Sequence, residues 1–143
     1  MPHAQRTIVI QRPVEVVFAF FTDHANDPRW RPHVKEIRAE GPQEVGTRIH
    51  QVVSGPGGRG IPADIEVTAH EFPGRYAFKV VAGPVRPTGE FRFTPRSGGT
   101  EVSLTLAAEL GGVKKLAMSR TVQRSMDGEV AGLDTAQRLL ETD

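Results

Sequence analysis

The side chains most suited to chemistry in this 143-residue chain are acid–base groups: Glu129, His50 or His33, assisted by the Tyr76 hydroxyl. A carboxylate, an imidazole and a phenol can each hold or pass a proton when a fold brings them into one cavity. Nucleophilic and metal chemistry lack their motifs, since no serine lies in G-x-S-x-G, no histidines have H-x-x-x-H spacing and there is no cysteine. We therefore expect any reaction to depend on acid–base groups or on the shape of a pocket that positions the substrate, with no metal and no cofactor.

The stretch GPGGRG at 55–60 matches the G-x-G-x-x-G pattern of dinucleotide-binding folds. That pattern needs a helix after it, because the helix N-terminus holds the pyrophosphate. Here a strand with a proline at its start follows instead. We interpret the stretch as a hairpin loop.

Glu129 belongs to a long predicted helix over 113–141. An apolar stripe runs along this helix: Met118, Val122, Met126, Val130, Leu133 and Leu140. Glu129 falls inside the stripe, where a carboxylate must be paired, protonated or next to water. Either it borders a partly wet cavity, or the helix bends and Glu129 reaches solvent, and we favour the bend.

A second stripe on the same helix contains small residues: Thr121, Ser125, Gly128, Gly132 and Ala136. Glycine inside a helix costs about 1 kcal/mol relative to alanine, so something should offset it. Either another backbone packs closely against this stripe, or the small side chains leave room for a ligand. At its N-terminal end the helix is basic, which indicates solvated surface or a site for an acidic ligand or anionic membrane: Lys114, Lys115, Arg120 and Arg124.

The middle of the chain alternates apolar and polar residues with a period of two, which predicts strands. Together with a first strand at Thr7–Gln11 they are Lys35–Glu40, Thr47–Ser54, Ala63–Glu71, Arg75–Ala82, Thr88–Pro95 and Thr100–Glu109. Short Gly- and Pro-rich turns separate them and favour an antiparallel meander. One face collects the apolar residues, including Tyr76, Phe78 and Phe91, and should be buried.

Residues 12–34, RPVEVVFAFFTDHANDPRWRPHV, join the first strand to this meander. Pro13 suits the first turn of a helix, and Asp-Pro at 27–28 ends the apolar run. The helix is apolar nearly all round, so it must be covered on several sides. Trp30, the only tryptophan, follows in the loop.

Charge and composition exclude several classes. Lys and Arg number 18 and Asp and Glu 17, a net charge of +1 that gives no electrostatic footprint for duplex nucleic acid. The start MPHAQRTIVI does not have a signal-peptide pattern, and the longest apolar run, Val16–Phe21, is far shorter than the ~20 residues that span a bilayer. We expect one cytoplasmic domain over 1–143 with no nucleic-acid partner and no membrane-spanning segment, and leave a homodimer open.

Four segments carry a family resemblance: residues 12–34, GTRI at 46–49, GGTEVSLTL at 98–106 and the closing helix that ends in LLE. With this order of elements, the chain resembles the START-like superfamily, also called SRPBCC, and within it the polyketide cyclase/dehydrase-like branch. The resemblance implies an α+β helix-grip fold with one or two short helices after the first strand. A curved seven-stranded antiparallel sheet would wrap around the long C-terminal helix and leave a hydrophobic cavity.

The resemblance also implies a ligand pocket between the sheet and the helix. The expected ligand-binding residues are Tyr76, Phe78, Phe91, Met118, Val122 and Met126, with Trp30 near the rim. Members of the superfamily bind lipids, polyketides, hormones or flavonoids, and some catalyse cyclisation or dehydration. The superfamily has no shared catalytic residue to transfer to this chain.

Three hypotheses follow. The first is binding of a small hydrophobic or aromatic molecule, lipid or polyketide-like, in the pocket. The second is a polyketide cyclase, aromatase or dehydratase that uses Glu129, His50 or Tyr76. The third is a protein-interaction module whose binding face is the first helix, which would then expose Phe18, Phe20 or Phe21.

Overall fold

The structure is a computed structural model that describes residues 3–39, 44–83, 85–108 and 114–142, with the backbone alone described at 56 and 114–119. Two 3₁₀ turns lie within these ranges, at His24–Asn26 and Pro56–Gly58. The strands are β1 (His3–Ile10), β2 (Val34–Ala39), β3 (Arg48–Ser54), β4 (Gly60–Pro62), β5 (Ile65–Glu71), β6 (Arg75–Val80), β7 (Thr88–Arg96) and β8 (Gly99–Ala107). The helices are α1 (Val14–Thr22), α2 (Asp27–Trp30), α3 (Lys114–Ala131) and α4 (Leu133–Thr142).

The strands form one antiparallel sheet in the order β1-β8-β7-β6-β5-β3-β2, with β4 paired to β3 beside this path. The first strand pairs with the last along its whole length, from His3 opposite Ala107 to Ile10 opposite Thr100. Register shifts interrupt β2 and β5, and such bulges bend a strand and increase its twist. The predicted curved seven-stranded sheet is confirmed, and β4 is a short addition at the end of the predicted 55–60 loop.

Burial follows the predicted alternation in most of the sheet, but the register shift in β5 pairs Ala69 with Ala77 and places His70 beside Tyr76 on the concave face. Val67, Tyr76 and Val102 are fully buried on the concave face, whereas Thr68 and Lys79 are exposed on the other face. This one-sided burial is typical of an antiparallel sheet that is covered on one side.

Helix α1 lies against β7 and β8 and closes one end of the sheet. It begins directly after Pro13 and ends before Asp23, whose side chain accepts a hydrogen bond from the Ala25 backbone N–H. Its aromatic residues Phe18, Phe20 and Phe21 are only 2%, 9% and 1% exposed. Because these rings are packed into the core, α1 does not offer the exposed aromatic face that the interaction-module hypothesis requires.

The predicted long C-terminal helix is present, with a break at Gly132 between α3 and α4. A Cβ atom added to Gly132 would lie 2.8 Å from the Trp30 carbonyl oxygen and 3.1 Å from that of Glu129. The C-terminal end of α2 therefore approaches the helix backbone so closely that only glycine fits. At Gly128 the contact is looser, because a Cβ atom there would lie 3.4 Å from His33 Nε2.

These two glycines should respond in opposite ways to alanine. We expect Gly132→Ala to lower the free energy of unfolding by about 1–3 kcal/mol, because the methyl group is forced against backbone. We expect Gly128→Ala to leave it unchanged or to raise it by up to about 1 kcal/mol, through the better helix propensity of alanine. Urea unfolding followed by circular dichroism measures both, and equal effects of the two substitutions would contradict the close-packing explanation.

Candidate functional site

A cavity of about 550 Å³ lies between α3 and the concave face of the sheet. This volume is within the roughly 300–1,000 Å³ of small-molecule sites. Strands and α3 supply an apolar wall: Ile65, Phe78, Val80, Phe91, Leu104, Leu106, Val122 and Met126. The hairpin around 54–62 completes the wall, since Gly55, Ile61 and Pro62 also line the cavity.

At one end of the cavity, Arg31 ties three elements together. Its guanidinium donates two hydrogen bonds to the Glu129 carboxylate of α3, at 2.9 and 3.0 Å. It also donates to Asp27 Oδ2 of α2 and to Gln51 Oε1 of β3, each at 2.8 Å. All four residues line the cavity, and we call this set the Arg31 network.

Charge holds the Arg31 network together. Burial alone would lower the pKa of Arg31, but the charges and hydrogen bonds of Glu129 and Asp27 raise it above its usual value. The guanidinium therefore stays charged although its side chain is only 12% exposed. With one cation between two carboxylates, this end of the cavity has a surplus of negative charge when His24 is neutral.

A second chain of hydrogen bonds leads from Asp27 into the core. Asp27 Oδ2 lies 2.9 Å from His24 Nδ1, and His24 Nε2 lies 2.7 Å from the Tyr76 hydroxyl. Burial, and to a smaller extent the charge of Asp27, raises the pKa of the Tyr76 phenol. The order hydroxyl–imidazole–carboxylate resembles that of hydrolase triads. However, Tyr76 is fully buried and is not among the cavity-lining residues, so this chain orients His24 and presents no nucleophile to a ligand.

Two polar atoms of cavity-lining residues have no hydrogen-bond partner within the described part of the chain. They are Asp27 Oδ1, an acceptor, and Trp30 Nε1, a donor, and both are buried. An unpaired buried polar atom costs about 1–3 kcal/mol. A bound molecule or a solvent molecule with a hydroxyl group would relieve that cost wherever it reached either atom.

The structure brings most of the predicted pocket residues together. Phe78, Phe91, Val122 and Met126 line the cavity, and the side chain of Met118 lies outside the described residues. Trp30 also lines the cavity but is only 3% exposed, so it belongs to the buried wall and the expected rim position is wrong. Tyr76 does not line the cavity, but it is hydrogen-bonded to His24, which does.

The three remaining acid–base candidates separate, and one of them, His33, lines the cavity. Glu129 borders the cavity, and the favoured expectation that a helix bend takes it to solvent is wrong, because Arg31 holds it inward. His50 lies outside the cavity, since β-strand alternation places it on the face opposite Gln51. There its Nδ1 is 3.1 Å from Asp64 Oδ1, so His50 cannot act on a molecule in the cavity.

The pair formed by His50 and Asp64 belongs to a surface cluster. Burial raises the pKa of Asp64, but hydrogen bonds from the Gln51 backbone and Arg48, with the His50 charge, lower it below its usual value overall. The cluster has a structural explanation that needs no ligand.

Both explanations of the small-residue stripe hold, at different ends of the helix. Thr121 and Ser125 line the cavity. Gly132 accommodates the Trp30 backbone, and Ala136 is fully buried. The stripe therefore leaves room for a ligand at its N-terminal end and permits close packing at its C-terminal end.

Arg31 and Gln51 are not among the site residues predicted from the sequence. Two signals were available in hindsight. Asp27 and Arg31 have the i, i+4 spacing of a helical ion pair, and Gln51 is the polar residue at an inward-facing position of β3, between buried Ile49 and cavity-lining Val53.

Within the ranges that the structure describes, no three histidine, aspartate or glutamate side chains lie close enough together to hold one metal ion. In the same ranges, no helix is both long enough and apolar enough to cross a bilayer.

Comparisons with solved structures place the fold. The chain superposes on TTHA0849 from Thermus thermophilus with a TM-score of 0.81 and 22% identity, covering 97% of each chain. It superposes on the Zhui aromatase/cyclase from Streptomyces sp. R1128 with a TM-score of 0.72 and 13% identity, covering 96% of this chain and 94% of that one. For the di-domain aromatase/cyclase StfQ of the steffimycin biosynthetic pathway the TM-score is 0.80 at 16% identity, with 98% of this chain matched to 50% of that chain.

No curated protein matches the sequence significantly. The sequence pattern of one protein family, described as polyketide cyclase / dehydrase and lipid transport, matches residues 1–138. Almost the whole chain is covered, and the helix-grip architecture agrees with it. The chain therefore belongs to the polyketide cyclase/dehydrase and lipid-transport family of the START-like superfamily.

Proposed function

We propose that the protein binds one small hydrophobic or aromatic molecule, lipid or polyketide-like, in the cavity between α3 and the sheet. The observation that supports this most directly is the cavity itself, about 550 Å³ walled largely by apolar side chains. Moving apolar ligand surface out of water into such a space yields roughly 25 cal/mol per Å². The Arg31 network supplies polar groups at one end that can fix the orientation of the ligand.

The test uses N-phenyl-1-naphthylamine, a neutral aromatic probe whose fluorescence rises in apolar surroundings. Trp30 lies in the cavity wall and is the only tryptophan, so energy transfer from Trp30 to the probe reports on binding at this site. We expect saturable binding at one probe per chain, with quenching of Trp30 emission. Native mass spectrometry of the gently purified protein should show the same stoichiometry. Unsaturable binding, or binding that leaves Trp30 emission unchanged, would contradict the proposal.

A second candidate function is a cyclase or dehydratase reaction in the same cavity. It is favoured by Glu129, a carboxylate held at the cavity wall by Arg31, and by the cyclase and dehydrase members of the family. In this case Glu129 would accept or return a proton while Arg31 compensates the charge that develops. Liquid chromatography with mass spectrometry of a polyketide-like substrate incubated with the protein separates the two functions. A carrier releases the molecule unchanged, a dehydratase releases it lighter by one water, and a cyclase without dehydration releases an isomer of equal mass and different retention time.

The remaining expectations about setting and partners stay predictions. They are a cytoplasmic location, the absence of a nucleic-acid partner, and a homodimer left open. The interaction-module hypothesis requires exposed aromatic rings on α1, but these rings are packed inside the domain.

A further inference from the structure

We propose that the ligand is an amphipathic acid, which holds its anionic group at the cavity mouth beside Arg124 and points its apolar body toward the Arg31 network. The inference rests on the proposed function and adds the chemical class and the direction of the ligand. It depends on how charge is distributed along the cavity.

The inner end of the cavity is unfavourable for an anion. While the His24 imidazole beside Asp27 is neutral, Asp27 and Glu129 place two carboxylates there against the single guanidinium of Arg31. That guanidinium already donates to Glu129, Asp27 and Gln51. A ligand carboxylate would therefore lose its hydration, meet excess negative charge and compete for donors that are already bonded.

At the mouth the balance is reversed. Arg124 lines the cavity and is exposed. Among the carboxylates of the described residues, none forms an ion pair with it. An anion beside it stays partly hydrated, so it gains attraction without the full cost of burial.

The residues around Arg124 suit the same anionic group. Thr121 and Ser125 lie next to it on the helix surface, line the cavity and are exposed, so their hydroxyls can donate to an anion. His33 lines the cavity from the opposite loop, close to the backbone of Gly128. The mouth therefore combines the cation of Arg124 with three further side chains that can donate hydrogen bonds.

The position of Arg124 distinguishes an anion site at the cavity mouth from a general attraction of anions to the basic surface of α3. Arg120 lies one turn earlier on α3, is also exposed and is not among the cavity-lining residues. If a basic helix surface alone attracted anions, Arg120 and Arg124 would contribute alike. If the anion sits at the mouth of the cavity, only Arg124 contributes strongly.

The experiment compares two probes that share one skeleton, 1-anilinonaphthalene-8-sulfonate, which is anionic, and N-phenyl-1-naphthylamine, which is neutral. Both are titrated into the wild type, Arg124→Gln and the matched control Arg120→Gln, at low and at physiological salt. We expect Arg124→Gln to weaken sulfonate binding about fivefold, as for a partly exposed ion pair. Binding of the neutral probe should stay within about twofold, and Arg120→Gln should change neither probe by more than that. Salt should weaken sulfonate binding to the wild type and should have less effect on Arg124→Gln.

Two results would overturn the inference while leaving the proposed function intact. One is an equal response of both probes to Arg124→Gln, and the other is an equal loss of sulfonate binding in Arg124→Gln and Arg120→Gln, which points to a basic surface for an anionic membrane. Failure of the neutral probe to bind the wild type would instead contradict the proposed function. Circular dichroism of each variant confirms that the fold is retained.

Discussion

Replacing Arg31 with methionine is expected to lower the free energy of unfolding by about 3–5 kcal/mol, because it leaves two carboxylates beside the cavity without a counter-charge. The side chains of Asp27 and Glu129 are only 2% and 19% exposed, so water compensates them poorly. Methionine keeps an unbranched apolar stem like that of arginine, so the change mainly removes the charge and the hydrogen bonds of the guanidinium. Urea unfolding at neutral pH, followed by far-ultraviolet circular dichroism, measures the change.

The control for this variant is Arg38→Met. Arg38 is 63% exposed and pairs with Glu36 at 3.9 Å on the surface, so its loss should change the free energy of unfolding by no more than about 0.5 kcal/mol. The double variant Arg31→Met, Glu129→Met removes one unpaired carboxylate and should recover part of the lost stability. If Arg31→Met were no more damaging than Arg38→Met, the Arg31 network would not be a stabilising element of the fold.

Filling the cavity should abolish most of the binding to the neutral naphthylamine probe. Ala63 has a small, partly buried side chain in the cavity wall, between β4 and β5. Ala63→Phe places a ring in the space that the ligand needs, and we expect the dissociation constant to rise about tenfold or more, which is about 1.4 kcal/mol. Phenylalanine is chosen because Trp30 remains the only tryptophan and energy transfer can still be measured.

Ala107→Phe is the matched control for the filled cavity. Ala107 lies on β8 outside the set of cavity-lining residues, so the same added volume should leave probe binding within about twofold of the wild type. The prediction fails if Ala63→Phe folds normally and binds the probe as well as Ala107→Phe does.

Most of the architecture could be predicted because it follows from local periodicity. Alternation at Ile65 and Val67 identifies the buried face of β5 without any knowledge of its partners, but it fails at Ala69, where a bulge shifts the register and brings His70 beside Tyr76 instead. The break at Gly132 could not be predicted in the same way. Gly132 lies so close to the Trp30 carbonyl that a Cβ atom there would collide with it. Trp30 is about one hundred positions earlier in the chain, and a helical pattern contains no information on such a neighbour.

The polar part of the site was harder to predict for a related reason. Glu129 could be identified because it interrupts an apolar stripe, but its partner Arg31 lies 98 positions away. Only the short Asp27–Arg31 spacing carries a local signal. His50 was a wrong candidate because a histidine within a strand can face either side, and chemistry alone does not say which side holds the cavity.

The pairing of β1 with β8 has a consequence for how the protein is made. In this sheet β1 has no neighbouring strand other than β8. During synthesis on the ribosome, the backbone groups of residues 3–10 therefore cannot form their strand pairing until residues 99–107 have emerged. Contacts between such distant segments form slowly, and an unpaired strand is prone to aggregate in the meantime. Along β1 the exposed His3, Gln5 and Thr7 alternate with more buried residues. Apart from Val9, the exposed face of the unpaired strand is therefore polar, which gives it a measure of protection during synthesis.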